Sequence, residues 1–251
     1  MIIGIIPARY GSSRFPGKPL ADIGGKSMIQ RVLEQASQAT SLSKVVVATD
    51  DERIAEAVRR LGFEAIMTRT DHPSGTDRCW EAYDRLKADG LITGNPSDYI
   101  LNIQGDEPFI DPAQIDELAA ILDGTIELAT QMATVDSAAM LHDPKEAKIV
   151  INEQNEALYF SRSAVPYLWG VEPDRWHEQQ AYHRHVGLYA YRADVLAKIT
   201  QLPPSPLERV ESLEQLRWLE AGFRIKLVAT TYQTPSVDSP GDIEKILQSG
   251  L

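Results

Sequence analysis

The sequence has little positive charge. Lys and Arg together number 25 against 36 Asp and Glu, so the 251-residue chain has a formal net charge of −11. Nucleic acids and anionic lipid surfaces bind proteins mainly through Lys and Arg at phosphate groups. The charge balance therefore argues against a nucleic-acid or membrane-surface partner. It also predicts that any phosphate this chain binds is met by a local cluster of cations.

Cysteine and long apolar segments are scarce too. The single cysteine, Cys79, has no partner for a disulfide within the chain, which favours a reducing compartment. The apolar opening at residues 1–6 ends at Pro7 and Arg9, too early for a secretory signal and far short of the roughly 20 residues that cross a bilayer. These absences predict a soluble cytoplasmic protein.

Apolar strands alternate with amphipathic helices in the first half of the chain. Buried strands are predicted at residues 2–6, 44–49, 63–67 and 99–103. Helices are predicted at residues 27–39, from the Asp50-Asp51 cap to Leu61 with Gly62 as terminator, and from an N-cap at 74–77 to Leu86. This order indicates an α/β fold with a mainly parallel central sheet and helices on both faces. In such sheets ligands bind outside the carboxyl ends of the strands.

The pattern changes after residue 126. Strand-like segments follow at residues 128–134, 148–151, 157–160 and 185–191, and residues 170–182 are predicted to be an exposed loop. A helix at 207–221 ending at Gly222, a strand at 224–229 and a last helix at 240–248 restore the α/β order. We therefore predict one domain over residues 1–251. Its α/β core covers about 1–125 and 205–251, and a smaller β-rich subregion for substrate binding or dimerisation covers about 126–204.

The first loop, residues 7–18, concentrates cations. Its cations are Arg9, Arg14 and Lys18, and its small residues are Gly11, Ser12, Ser13 and Gly17. Backbone N–H groups and cations in such a loop can wrap a triphosphate. The loop matches neither GxxxxGK[ST] nor GxGxxG, which disfavours P-loop hydrolysis and dinucleotide binding. The alternative is a flexible surface loop whose cations are only solvated.

Several blocks in the right order resemble the sugar-acid cytidylyltransferases, in particular those that activate 3-deoxy-manno-octulosonate (Kdo). The blocks are IIPARYGSSRFPGKPL (5–20), VVVATDDERIA (45–55), HPSGTDR (72–78), NIQGDEP (102–108), YFSRSAVPY (159–167), RHVGLYAYR (184–192), SPLERVESLEQLR (205–217) and VDSPGDIE (237–244). The resemblance implies a Rossmann-like nucleotidyltransferase fold that joins CTP and Kdo, releases pyrophosphate, requires Mg²⁺ and commonly forms a homodimer. It also implies a role in lipopolysaccharide biosynthesis. Gly241 is a departure, because the family usually has an acidic residue there.

On the nucleotide side, the resemblance implies contacts from two blocks. The implied CTP-binding residues are Pro7, Ala8, Arg9, Ser12, Ser13, Arg14, Lys18, Ser74, Gly75, Thr76 and Arg78. Arg14 and Lys18 would hold the β- and γ-phosphates and would act as catalytic residues together with Asp106. Taken alone, HPSGTDR is equally typical of a helix N-cap with a basic first turn.

Asp106 follows the predicted strand at 99–103, where a parallel sheet presents a carboxylate to a ligand. Mg²⁺ prefers one or two carboxylates together with substrate phosphate oxygens and water. The resemblance supplies Asp238 as the second metal ligand. The alternative is that Asp106 only forms a turn before Pro108 and that Asp238 only caps the last helix.

On the sugar side, the resemblance implies six residues. They are Gln104, Arg162, His185, Tyr189, Glu214 and Gln215. His185 and Tyr189 lie on the same face of a strand, and a guanidinium such as that of Arg162 suits the Kdo carboxylate. Without the resemblance, His185 is interpreted as a packed structural residue and Arg162 as part of a surface salt bridge. His177, His183 and His185 have no Cys or carboxylate spacing that supports a closed zinc site.

Three other functions stay open. An acylneuraminate or 8-amino-Kdo cytidylyltransferase would share the first loop and Asp106 but differ around His185 and Glu214. A sugar-1-phosphate nucleotidyltransferase would carry a loop closer to GxGTRxxPxxK, which this sequence lacks. A non-catalytic nucleotide-binding regulator would have no need for the sugar-side residues.

Overall fold

The computed structural model describes residues 1–11, 15–232 and 234–249. The strands are β1 (Ile2–Ala8), β2 (Asp22–Ile23), β3 (Lys26–Ser27), β4 (Lys44–Thr49), β5 (Glu64–Met67), β6 (Tyr99–Asn102), β7 (Leu128–Thr134), β8 (Lys148–Ile151), β9 (Ala157–Ser161), β10 (His183–Arg192) and β11 (Ile225–Ala229). The α-helices are α1 (Met28–Ala36), α2 (Glu52–Arg60), α3 (Gly75–Ala88), α4 (Pro112–Ala119), α5 (Ala138–His142), α6 (Trp176–Gln179), α7 (Ala193–Ile199), α8 (Pro206–Glu211), α9 (Gln215–Glu220) and α10 (Pro240–Ser249). No helix of the described part is long and apolar enough to cross a membrane.

The chain forms two compact units. Unit 1 contains Met1–Gly124, Ala190–Thr200 and Tyr232–Leu251, and unit 2 contains Thr125–Tyr189 and Gln201–Thr231. Residues 205–251 are predicted as a whole to belong to the core, whereas α8, α9 and β11 belong to unit 2 in the structure.

Unit 1 is built on parallel strands. β1 lies between β4 and β6, β5 pairs with the other edge of β4, and all three pairings are parallel. The side chains of Ile3, Ile5 and Ile6 are fully buried, as expected for a sheet covered on both faces. β1 runs through Pro7 to Ala8, two residues further than predicted. The pairing of β1 with β6 ends at Ile5. Pro7 lies beyond the paired residues, so its missing backbone N–H costs no hydrogen bond between these two strands.

The predicted helix starts in unit 1 are confirmed. Ser27, Asp51 and Ser74 are the N-caps of α1, α2 and α3, and each side chain accepts a hydrogen bond from a backbone N–H of the first turn. Gly62 follows the C-cap of α2 with φ of 83°, a conformation that favours glycine. Helix α4 was not predicted, although Asp111 caps it and Pro112 occupies its first turn.

Unit 2 contains mixed pairings. β7 and β11 are parallel, whereas β8 is antiparallel to β9 and to the first residues of β10. The predicted single helix at 207–221 is wrong, because α8 and α9 are separated at Ser212, which has a left-handed φ of 52°. Gly222, with φ of 86°, follows α9 as predicted.

Residues 170–182 are not an exposed loop throughout, which corrects the sequence analysis. They contain a 3-10 turn at Pro173–Arg175 and helix α6. Trp176 and Tyr182 are buried and pack with Val135 and Leu141 in one hydrophobic cluster. The Trp176 indole N–H also donates to the carbonyl of Val171 over 2.8 Å. The aromatic residues of this segment therefore form core rather than surface.

Candidate active site

A cavity of about 280 Å³ lies in unit 1, at the carboxyl ends of β1 and β6. It is lined by Pro7, Ala8, Arg9, Lys18, Pro19, His72, Pro73, Ser74, Gly75, Arg78, Gln104, Gly105, Asp106 and Asp238. The cavity thus joins parts of the first loop, the HPSGTDR block, the NIQGDEP block and the VDSP segment. Ser12, Ser13 and Arg14 lie outside the described residues.

Two glycines let the cavity wall close tightly around Pro7. A Cβ at Gly75 would lie 3.2 Å from Pro7 Cγ, and a Cβ at Gly105 would lie 3.0 Å from the Pro7 carbonyl oxygen. A side chain at either position would push the end of β1 away from α3 or from the loop after β6. Glycine at these positions therefore allows three backbone segments to meet at one wall.

The two ends of the first loop are tied together. The Gly17 N–H donates to the Tyr10 carbonyl over 2.9 Å, and Gly17 has φ of 73°, which favours glycine. This hydrogen bond links the neighbours of Arg9 and Lys18, and both of these cations line the cavity.

The Lys18 ammonium lies between two carboxylates. Its Nζ is 2.8 Å from Asp106 Oδ2 and 3.8 Å from Asp238 Oδ1, and it donates to the Val237 carbonyl over 2.9 Å. The Val237 N–H in turn donates to the Asp106 carbonyl over 2.9 Å. Two acidic residues that are far apart in sequence therefore converge on a single positive charge.

This arrangement fits a magnesium ion. Two carboxylates that reach one cation provide the protein ligands that Mg²⁺ prefers, and phosphate and water oxygens complete such a site. Across the described ranges, no group of three or more His, Cys, Asp or Glu is placed to hold a metal by itself. At the start of α10, the backbone N–H groups of Asp238 and Ser239 donate to the Asp242 carboxylate, over 3.1 and 2.8 Å.

The residues of the HPSGTDR block differ from one another in their position relative to the cavity. Ser74 and Gly75 begin α3 at the cavity wall. Thr76 is not a lining residue, since its side chain is buried with its hydroxyl 3.4 Å from that of Tyr191. The Arg78 side chain lines the cavity but is only 4% exposed, because it is held by groups behind the wall.

His72 is a cavity residue to which the sequence analysis gave no role. Its Nε2 is hydrogen-bonded to the carboxylate of Glu81 on α3. Burial favours a higher pKa for Glu81, but hydrogen bonds from the Arg69 N–H, His72 and Arg85 together hold that pKa below its usual value. The carboxylate therefore stays ionised and orients the His72 ring. No local sequence motif pairs His72 with Glu81, so the sequence alone does not predict this contact.

Arg162, predicted for the sugar side, is bound to backbone. Its Nε donates to the Glu211 carbonyl over 2.6 Å, Nη1 to the Pro144 carbonyl over 2.8 Å and Nη2 to the Ser212 carbonyl over 3.1 Å. The Glu211 carboxylate accepts from the backbone N–H of Arg162 over 2.9 Å. The guanidinium therefore holds the end of α8 in place, which is not an ordinary surface salt bridge.

His185 and Tyr189 lie close together in unit 2. Their ring centroids are 5.1 Å apart, and His185 also packs edge-on against Phe160 at 5.5 Å. The His185 Nε2 lies 3.2 Å from the Thr130 hydroxyl. Burial, with a smaller effect of the nearby Arg184 charge, lowers the pKa of His185 to about 4, so the ring is neutral at physiological pH.

The other predicted sugar-side residues are divided between the units. Glu214 and Gln215 stand at the start of α9 in unit 2, and Gln215 is buried. Gln104 lines the cavity of unit 1.

The chain matches known proteins over most of its length. The family model described as cytidylyltransferase matches residues 3–226. Proteins named 3-deoxy-manno-octulosonate cytidylyltransferase from Cytophaga hutchinsonii and Parabacteroides distasonis are 48% and 50% identical, and each match covers 98% of this chain and 96% of the relative. A solved structure of CMP:2-keto-3-deoxy-manno-octonic acid synthetase complexed with CTP is 44% identical, with a TM-score of 0.88 and coverage of 100% of this chain and 99% of that one. The chain therefore belongs to the cytidylyltransferase family.

Proposed function

We propose that the chain transfers CMP from CTP to the anomeric 2-hydroxyl of Kdo, giving CMP-Kdo and pyrophosphate for lipopolysaccharide biosynthesis. The observation that carries the proposal is the convergence of Asp106 and Asp238 on Lys18 at the wall of a cavity that also contains Arg9. This arrangement places two carboxylates that would hold a metal ion beside cations that would meet a triphosphate. The two relatives of 48% and 50% identity carry the name of this enzyme.

The reaction is an in-line displacement at the α-phosphorus of CTP. A bond forms between the 2-oxygen of Kdo and the α-phosphorus, and the bond from the α-phosphorus to the α–β bridging oxygen breaks. Pyrophosphate leaves with that oxygen, and the proton of the 2-hydroxyl passes to water. No covalent enzyme intermediate is needed, so positioning and electrostatic stabilisation supply most of the rate enhancement. Arg9 and Lys18 provide positive charge for the phosphates from the two ends of the first loop. The role of Arg14 stays a prediction.

Asp106 and Asp238 would hold the Mg²⁺ ion. When bound, the ion supplies Lewis-acid polarisation of the α-phosphate and lowers the pKa of the attacking hydroxyl. Lys18 contacts both carboxylates and so keeps the two oxygens aimed at a common point. The Val237 to Asp106 backbone hydrogen bond fixes the two segments that carry them.

For the sugar acid, we propose Gln104 on the cavity wall and, in unit 2, Arg162, His185, Tyr189, Glu214 and Gln215. Three of the five N–H groups of Arg162 are used by carbonyls. Among the described residues, one N–H on each terminal nitrogen is left for a carboxylate ligand. A neutral His185 would exchange hydrogen bonds with sugar hydroxyls without adding charge.

We also propose that the chain works as a homodimer. Unit 2 exposes several large apolar side chains, namely Leu158 (58%), Tyr167 (69%), Trp169 (88%) and Val210 (83%). Exposed apolar surface of this kind is typical of association sites. Light scattering should give twice the chain mass of 27.9 kDa, and a mass of one chain at micromolar concentration would contradict this proposal.

The direct experiment measures pyrophosphate release with every pair of nucleotide and sugar acid. CTP, UTP, ATP and GTP are each combined with Kdo, 8-amino-Kdo or N-acetylneuraminate in the presence of Mg²⁺. We expect release with CTP and Kdo, and little with the other pairs. Release only with another acid would change the substrate and keep the chemistry. If no pair releases pyrophosphate, the enzyme function is wrong.

A further inference from the structure

Arg78 is held from behind the cavity wall by three acceptors. Its Nη1 donates to the Thr68 hydroxyl over 2.6 Å and to the Arg69 carbonyl over 3.3 Å, and its Nη2 donates to Asp50 Oδ2 over 3.0 Å. The side chains of Arg78 and Asp50 are only 4% and 13% exposed. A charged pair this well buried has a defined geometry, because neither partner can turn to water.

The acceptors come from the ends of two neighbouring strands. Asp50 directly follows β4, and Thr68 directly follows β5, which pairs with β4 in parallel. The Thr68 N–H donates to the Thr49 carbonyl over 2.8 Å and continues that pairing. Asp50 and Thr68 are therefore fixed to the sheet, whereas Arg78 projects from α3.

The hydrogen bonds leave part of the guanidinium for a ligand. A guanidinium carries five N–H groups, and three of those of Arg78 are donated to Thr68, Arg69 and Asp50. Within the described residues, the N–H of Nε and one N–H of Nη2 have no protein acceptor. Arg78 is one of the residues that line the cavity, so these two donors are the part of its guanidinium that remains for a bound nucleotide.

Two neighbouring donors match cytosine better than uracil. Cytosine presents two adjacent acceptors, its O2 carbonyl and its N3 ring nitrogen. Uracil presents the same carbonyl beside an N3–H, which would face a donor of the guanidinium and leave it unpaired. Burying an unpaired donor is more costly than losing a hydrogen bond, so the orientation of Arg78 affects selectivity as well as affinity.

We propose that Asp50 is a positioning residue for nucleotide recognition: with Thr68, it fixes the Arg78 guanidinium so that its two remaining donors meet the O2 and N3 edge of cytosine. Asp50 itself contacts no substrate. The proposal rests on the proposed function, because it requires a CTP site in the unit 1 cavity.

The test compares CTP and UTP binding by calorimetry, with Mg²⁺ and without sugar acid, in wild type and three variants. Arg78→Gln should weaken CTP binding by at least about tenfold and reduce the preference for CTP over UTP, since it removes a charge-assisted contact. Asp50→Asn should weaken CTP binding by about tenfold and UTP binding by less. Thr68→Val should show the same pattern at about threefold. For Asp50→Asn, kcat at saturating CTP should stay within about twofold of wild type.

Asp116→Asn is the matched control. The Asp116 carboxylate accepts hydrogen bonds from the backbone and hydroxyl groups of Thr40 and Ser41, and it does not line the cavity. This variant removes one charge from a similarly engaged carboxylate of unit 1. It should lower the thermal midpoint to a similar extent while leaving the CTP to UTP preference at the wild-type value.

Two results would overturn the inference alone. In the first, Asp50→Asn and Thr68→Val bind CTP like wild type although Arg78→Gln is impaired. In the second, Asp50→Asn loses CTP and UTP binding equally. If Asp50→Asn does not fold, Thr68→Val decides by the same criterion. A wild-type chain that binds no CTP overturns the proposed function and the inference together.

Discussion

Lys18 of unit 1 and Arg162 of unit 2 were both predicted to meet an anionic ligand, but their surroundings differ. The Lys18 ammonium contacts two carboxylates at the wall of a cavity. The Arg162 guanidinium donates instead to three backbone carbonyls. Carboxylates have further lone pairs for a metal ion beside the ammonium, whereas carbonyls at a helix end need a donor to stay satisfied. The role of a cation thus follows from its acceptors more than from its residue type.

The largest effect should come from Asp106→Asn, which removes a carboxylate from the pair that defines the unit 1 site. We expect kcat to fall by about 10³-fold, because a bound metal contributes several kcal/mol to catalysis. Circular dichroism and the thermal midpoint should show a folded protein. Near wild-type turnover at saturating Mg²⁺ would remove Asp106 from the metal site.

Lys18→Met should have the next largest effect. Loss of the ammonium should lower kcat/KM for CTP by about 100-fold, since a charge-assisted contact to phosphate contributes about 1.5–3 kcal/mol. Lys26→Met is the control, because Lys26 forms only an exposed pair with Glu34. Equal activity of the two variants would show that Lys18 has no special role.

Arg162→Gln should lower the stability of the fold, whereas Lys18→Met should lower catalytic activity. Leaving the carbonyls of Pro144, Glu211 and Ser212 without the guanidinium should lower the free energy of unfolding by about 2 kcal/mol. CTP affinity should not change. Denaturant titration and calorimetry measure both quantities. The KM for Kdo should rise as well, because the two remaining N–H groups of Arg162 are proposed to bind the sugar carboxylate. An unchanged unfolding free energy would contradict the structural role of Arg162.

The smallest effect at neutral pH concerns His185, because its contribution changes only when the solution is acidified. Its pKa in the folded chain is about 4, below the value of about 6.5 expected when unfolded, so the unfolded state takes up the proton first as pH falls. The resulting loss of stability begins as pH drops through about 6.5, reaches about 2 kcal/mol at pH 5 and levels off below pH 4. Chemical denaturation of wild type and His185→Gln at several pH values isolates this contribution. Identical pH profiles would contradict the lowered pKa.

Local sequence patterns were enough to predict much of the fold. β7 and β8 have the predicted bounds, and Ser27, Asp51 and Ser74 cap helices as polar N-cap residues usually do. The alternation of apolar strands and helices was enough to predict the mainly parallel sheet, because helices that follow each strand cover both faces of such a sheet.

Distant contacts account for what the sequence did not reveal. Ser212 interrupts the predicted helix at 207–221 without a Gly or Pro, at the point where Arg162 binds the carbonyls of Glu211 and Ser212. Lys18 and Asp106 are 88 positions apart in sequence, so no local spacing rule predicts the contact between their side chains. Asp238 was reached through family resemblance alone.

A double-variant cycle of Asp106→Asn and Asp238→Asn tests the central claim, that these two carboxylates act on one metal ion beside Lys18. The measurement is kcat for pyrophosphate release with saturating CTP, Kdo and Mg²⁺. Residues that act as a unit are not additive, so the double variant should remain within about tenfold of the more impaired single variant. If the two losses multiply, the carboxylates act independently and the shared metal site is contradicted.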